Sequence, residues 1–105
     1  MLSTQQNRAL RKYFRMVSDT LNEAGMERKV LTSFGEMEIP WTMESVEELW
    51  KVAQAYMYHT ESLRELEPNQ VDPIYDVLNR FISSSRGIHI PFPNQESLQN
   101  EITTV

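Results

Sequence analysis

Four cations within eight residues, Arg8, Arg11, Lys12 and Arg15, are the side chains in this 105-residue chain whose type and spacing best suit a chemistry. That chemistry is anion binding. At ~100° per residue all four fall on one side of a helix. From there they can reach several phosphates along a nucleic-acid strand, each neutralised phosphate adding affinity through counterion release. Gln5, Gln6 and Asn7 precede them and offer hydrogen bonds to phosphates or base edges. For base stacking the candidates are Trp41, Tyr56 and Tyr58, because Tyr13 falls mainly on the apolar side of the same helix. Core packing is the competing role for Trp41 and Trp50.

Catalytic constellations are not expected. His59 and His89 lie thirty residues apart and neither belongs to a metal-ligand spacing. Gly25, Gly35 and Gly87 are scattered and build no phosphate-cradling loop. Asp72, Asp76 and Arg80 read as capping plus a surface ion pair worth a few tenths of a kcal/mol. Ser83-Ser84-Ser85 reads as a helix end with no base beside it. With no cysteine, disulfides and thiolate metal sites are excluded. The expectation is a protein with no catalytic residues, no metal and no cofactor.

The elements that must carry the cations are legible from periodicity. Leu10, Tyr13, Phe14, Val17, Leu21 and Ala24 form an apolar stripe opposite the basic one, which predicts an amphipathic helix over about residues 4–24. Ser3 and Gln6 have capping-box spacing, and Gly25 suits the helix end. Residues 26–39 predict a loop with an extended segment, with a possible small hairpin near 30–39 around Gly35. A second helix is expected from about Met43 to Tyr58, capped by Thr42, with Trp41 and Val46 at hydrophobic-staple spacing. Its core face is Val46, Leu49, Trp50, Ala53 and Met57. The segment from His59 to Glu67 reads as a loop with a partial turn. For a third helix Pro68 and Pro73 both suit a first turn, and Asp72 before Pro73 is the better cap. Its apolar face would be Ile74, Val77, Leu78, Phe81 and Ile82, ending before Gly87. Ile88, Ile90 and Phe92 alternate in an extended segment with two prolines, expected to lie across the helices. The result is a mostly α, three-helix single domain over 1–93 with short extended connectors, and a flexible or short-helical tail over 94–105.

At 40% hydrophobic and 24% charged residues the composition is that of an ordinary globular protein. No apolar run reaches membrane-spanning length and no secretory segment is evident, so a cytoplasmic location without a membrane partner is expected. Net charge is −5, but it is unevenly placed. Residues 1–30 hold six Lys/Arg and three acids, and residues 31–105 hold four and twelve. This asymmetry fits an anion-binding face on an acidic body, or pairing of opposite ends. Apolar surface from Trp41, Trp50, Tyr56 or Phe92 would favour self-association.

The opening Ser3-Thr4-Gln5-Gln6-Asn7-Arg8-Ala9-Leu10 resembles the S-x-x-Q-N-R-x-L opening of the phage NinB (Orf) recombination-function family. The likeness continues at Val17-Ser18, Gly25 and Glu44-Ser45. The chain is also similar to small phage proteins of recombination cassettes at Ile39-Pro40-Trp41-Thr42, Asp76-Val77-Leu78-Asn79-Arg80 and the run from Gly87 to Pro93. The resemblance implies a non-catalytic homodimer in the host cytoplasm. It would bind single-stranded DNA, or a single-strand DNA-binding protein, and help a recombinase load. Ser3, Gln6, Asn7 and Arg8 match the family motif; Arg11, Lys12 and Arg15 join them on charge geometry. The family carries a β-containing stretch before this motif, whereas here the motif begins almost at Met1. A rival reading, drawn from the acidic surplus after residue 30, is a protein-interaction module or an inhibitor of a host defence complex, acting through acidic helix faces.

Overall fold

The computed structural model describes residues 1–26, 28–33 and 35–93. The expected tail, with Leu98, Ile102 and Val105, and the apolar Phe34 lie outside them. Helix α1 spans Thr4–Glu23, and its start is set by reciprocal hydrogen bonds. The Gln6 N–H donates to Ser3 Oγ at 3.1 Å and the Ser3 N–H donates to Gln6 Oε1 at 2.8 Å. Leu10, Tyr13, Phe14, Val17 and Leu21 are buried, so the apolar stripe faces the core as its spacing requires. Ala24 departs from the stripe. It is the exposed cap residue, because the helix ends before a further turn reaches the core.

Strands β1 (Arg28–Thr32) and β2 (Gly35–Ile39) form the antiparallel hairpin expected near 30–39. Arg28 pairs with Ile39, Val30 with Met37 and Thr32 with Gly35. Gly35 has φ +110°, a conformation that side chains disfavour. The hairpin returns into α2 (Met43–Tyr58), where Thr42 accepts from the Ser45 N–H at 3.1 Å. The Asn22 side chain clamps Trp41 at both backbone groups, donating to its carbonyl at 2.9 Å and accepting from its N–H at 2.8 Å. This fixes the hairpin exit on the last turn of α1.

After α2 a 3-10 turn, Leu63–Glu65, leads to α3 (Pro68–Arg86). Helix α3 starts at Pro68, five residues before the proline favoured from sequence, and Asp72 is not its cap. Pro68 loses nothing at the first helical position, where the N–H has no partner. Gln70 then closes the turn, accepting from the Glu67 N–H at 3.0 Å. Pro73 lies inside the helix, where its missing N–H would have bonded the carbonyl of the exposed Asn69. Water can take that carbonyl. The apolar face is narrower than expected. Ile74, Leu78 and Ile82 are buried at i, i+4, i+8, while Val77 and Phe81 are exposed.

Residues 88–92 cross α3 as an extended strap, burying Ile90 and half-burying Ile88 and Phe92. A polar row on α3 holds it. The Tyr75 hydroxyl donates to the Ile90 carbonyl at 2.7 Å, Asn79 Oδ1 accepts from the Ile90 N–H at 3.4 Å, and Ser83 Oγ donates to the Ile88 carbonyl at 2.9 Å. The core is aromatic at its centre. The Tyr13 ring packs 6.0 Å from Trp50, 5.4 Å from Tyr75 and 5.3 Å from Phe92, joining α1, α2, α3 and the strap.

Candidate nucleic-acid interface

Because the apolar stripe of α1 is buried, its opposite side is presented outward, and Arg8, Arg11 and Arg15 are exposed along it. From Arg8 to Arg15 the helix rises roughly 10 Å. Other cations are held in ion pairs: Arg28 with Glu48 at 3.9 Å, Lys29 with Glu36 at 4.0 Å, Lys51 with Glu47 at 3.3 Å and the Met1 amino group with Glu67 at 2.9 Å. Lys12 departs from the expectation of an exposed cation. It is half-buried and engaged within the protein. Three arginines therefore form the exposed basic row.

The motif residues divide between two places. Ser3 and Gln6 spend their side chains on the cap of α1 and line a cleft of about 380 Å³ between the first turns of α1 and α3, with Asp72 opposite and Phe92 at its wall. A carboxylate there makes it a poor phosphate site. Asn7 instead lies beside Arg11, in a second cleft of about 340 Å³ that also includes Arg64 from the 3-10 turn. Arg64 was not found from sequence. It stands among Glu61, Glu65 and Glu67, so its linear surroundings look acidic, and only the fold brings it to α1.

Of the aromatic candidates, Trp50 is fully buried and serves the core. Trp41 is half-buried, with its Nε1 donating to the Met26 carbonyl at 3.0 Å and the Arg28 guanidinium 5.8 Å from its ring. Tyr58 is half-buried, and Tyr56 stands on α2 with 86% of its surface exposed. Phe92 packs within the aromatic centre. The apolar surface expected from Trp41, Trp50 and Phe92 is thus largely consumed inside the molecule.

His59 caps the C-terminus of α2 with φ +59°, its N–H donating to the Ala55 carbonyl at 3.0 Å. His89 Nδ1 lies 3.2 Å from Asn79 Nδ2 on the strap. Among the described residues no group of three or more His, Cys, Asp or Glu is placed to hold a metal ion. Nor is any helix there long and apolar enough to cross a membrane. No family model, curated protein or solved structure matches this chain.

Proposed function

We propose that the protein is a non-catalytic accessory of phage DNA recombination that binds single-stranded DNA through the exposed row of Arg8, Arg11 and Arg15. The observation that carries this reading is the placement of the three guanidinium groups on one outward helix face, while Arg28, Lys29 and Lys51 are paired with acids. Guanidinium groups present fixed donors suited to phosphate oxygens. A single-strand DNA-binding protein in complex with DNA is the partner class that the family resemblance adds. A homodimer belongs to the same proposal, supported by Val52 and Tyr56 one turn apart on α2 and Val77 and Phe81 one turn apart on α3, all exposed. Sedimentation equilibrium at tens of micromolar tests it, and a purely monomeric mass would count against it.

The DNA reading is tested by fluorescence anisotropy of a labelled oligothymidylate over a salt series. Three neutralised phosphates predict a slope of log affinity against log salt near −2, at ~0.7 per phosphate for single strands. Replacing Arg8, Arg11 and Arg15 together by Glu is expected to abolish binding with the circular dichroism spectrum unchanged, since exposed substitutions cost little stability. Binding that survives the triple reversal would sink this reading. A second reading, docking of a basic partner protein, is favoured by the exposure of Glu36, Glu38 and Glu44 on β2 and the start of α2.

A further inference from the structure

We propose that the cleft between α1 and the 3-10 turn takes one nucleobase of a bound single strand, with Arg11 and Arg64 on the phosphates to either side of it. The inference rests on the single-stranded DNA reading and goes beyond it, naming a base pocket and a binding residue outside α1.

Chemistry, size and position all support the assignment. The cleft, about 340 Å³, is within the usual range for small organic groups. Leu2, Leu10 and Leu63 give it an apolar lining, its polar side chains are Asn7, Arg11 and Arg64, and Met1 completes the rim with its amino group paired to Glu67 at 2.9 Å. Among the described residues no carboxylate lines it. An apolar lining between two guanidinium groups matches a flat base flanked by anions and does not match a bare phosphate, which would gain nothing from three leucines. The Asn7 amide donates to the Leu2 carbonyl at 3.4 Å, leaving its oxygen to accept from a base edge.

Arg11 belongs to both the cleft and the exposed row, so a strand following Arg15, Arg11 and Arg8 passes the cleft mouth. The far wall is anchored from the core. Buried Gln54 donates to the Ser62 carbonyl at 2.9 Å and to Thr60 Oγ1 at 2.9 Å, and Ser62 Oγ accepts from the Arg64 N–H at 3.2 Å. Arg64 therefore sits on a turn pinned to α2, which holds the spacing across the cleft. Of the acids around it in sequence, Glu67 is taken by the Met1 amino group at 2.9 Å.

The test compares wild type, Arg64→Gln and the double variant Arg8→Gln/Arg15→Gln on a labelled oligothymidylate and on an equally long strand of abasic sites. Both strands carry the same phosphates. The expected results are a several-fold weaker affinity for Arg64→Gln with the salt slope shallower by about 0.7, and binding of wild type to the abasic strand weaker by about fivefold or more. In Arg64→Gln the gap between the two strands should shrink. If wild type binds and the double variant does not, while Arg64→Gln matches wild type, the cleft is overturned and the arginine row stands. Equal wild-type affinity for both strands also overturns the base pocket. Absence of any binding at low salt overturns both readings. A matching circular dichroism spectrum and thermal midpoint for Arg64→Gln establish that the exposed substitution leaves the fold intact.

Discussion

Tyr13 is the residue whose chemistry is most at odds with its surroundings. Its ring is the hub of the aromatic centre, yet its hydroxyl is buried without a hydrogen-bond partner among the described residues. Burial, and then the neighbouring Tyr75, hold its phenol well above the ordinary tyrosine range. Both facts predict the outcome of Tyr13→Phe. Removing an unsatisfied buried hydroxyl while keeping the ring should raise stability at neutral pH by about 1 kcal/mol. The pH dependence has a definite sign. The folded state favours the neutral phenol, so this contribution is complete below the unfolded pKa of about 10 and is lost as pH climbs above it. Urea unfolding followed between neutral pH and pH ~11 should therefore show wild type losing stability above pH ~10, with a smaller loss in Tyr13→Phe. Identical pH profiles for the two proteins would show that Tyr13 does not ionise on unfolding. The arginines of α1 present the opposite case: residues whose surroundings cost them nothing, because the row faces water.

At the scale of elements, what could be read from sequence was whatever is written in local spacing. Helix α1 was legible because cap, stripe and terminating glycine all agree over residues 3–25, and α2 because Thr42 and Ser45 start it where the apolar period begins. The start of α3 was not, since two prolines each satisfy the first-turn rule and the choice falls to Gln70, whose role becomes visible only when it caps Glu67. Its apolar width was overread for a similar reason. The strap covers the Tyr75–Asn79–Ser83 side of α3, so Val77 and Phe81 are left outside although their spacing fits a core face. The basic row could be read from charge spacing, whereas Arg64 could not, because its partner residues are more than fifty positions away. Asn22 was missed as well, since an asparagine near a helix end gives no sign of what it will bind across the fold. It predicts a measurable cost. Asn22→Ala leaves both backbone groups of Trp41 without the partner they now have, and should lower stability by about 1–3 kcal/mol in a urea melt. A loss below ~0.5 kcal/mol would mean that water replaces the clamp at no cost.

On the scale of the whole molecule the question is whether a net charge of −5 lets a row of three arginines attract a polyanion. The answer depends on screening length against molecular size. The protein measures 43 × 36 × 24 Å. At ~10 mM salt the Debye length is about 30 Å, so the arginine face feels most of the acidic body; at 0.15 M it is about 8 Å, and only neighbouring charges count. Glu36 and Glu38 are exposed on the hairpin, and Glu36 lies 4.0 Å from the Lys29 ammonium. An exposed pair of that length contributes little to stability. Glu36→Gln/Glu38→Gln should therefore fold normally and bind single-stranded DNA more tightly than wild type at low salt, by roughly two- to fivefold, through reduced long-range repulsion. At ~0.15 M the gain should vanish. The same variant separates the two functional readings. If those carboxylates are a docking surface for a basic protein, the substitution weakens that complex and has no low-salt effect on DNA. Anisotropy titrations at the two salt concentrations make the distinction, and an affinity gain that persists undiminished at 0.15 M would place the two glutamates beside the bound strand and overturn long-range repulsion as the cause.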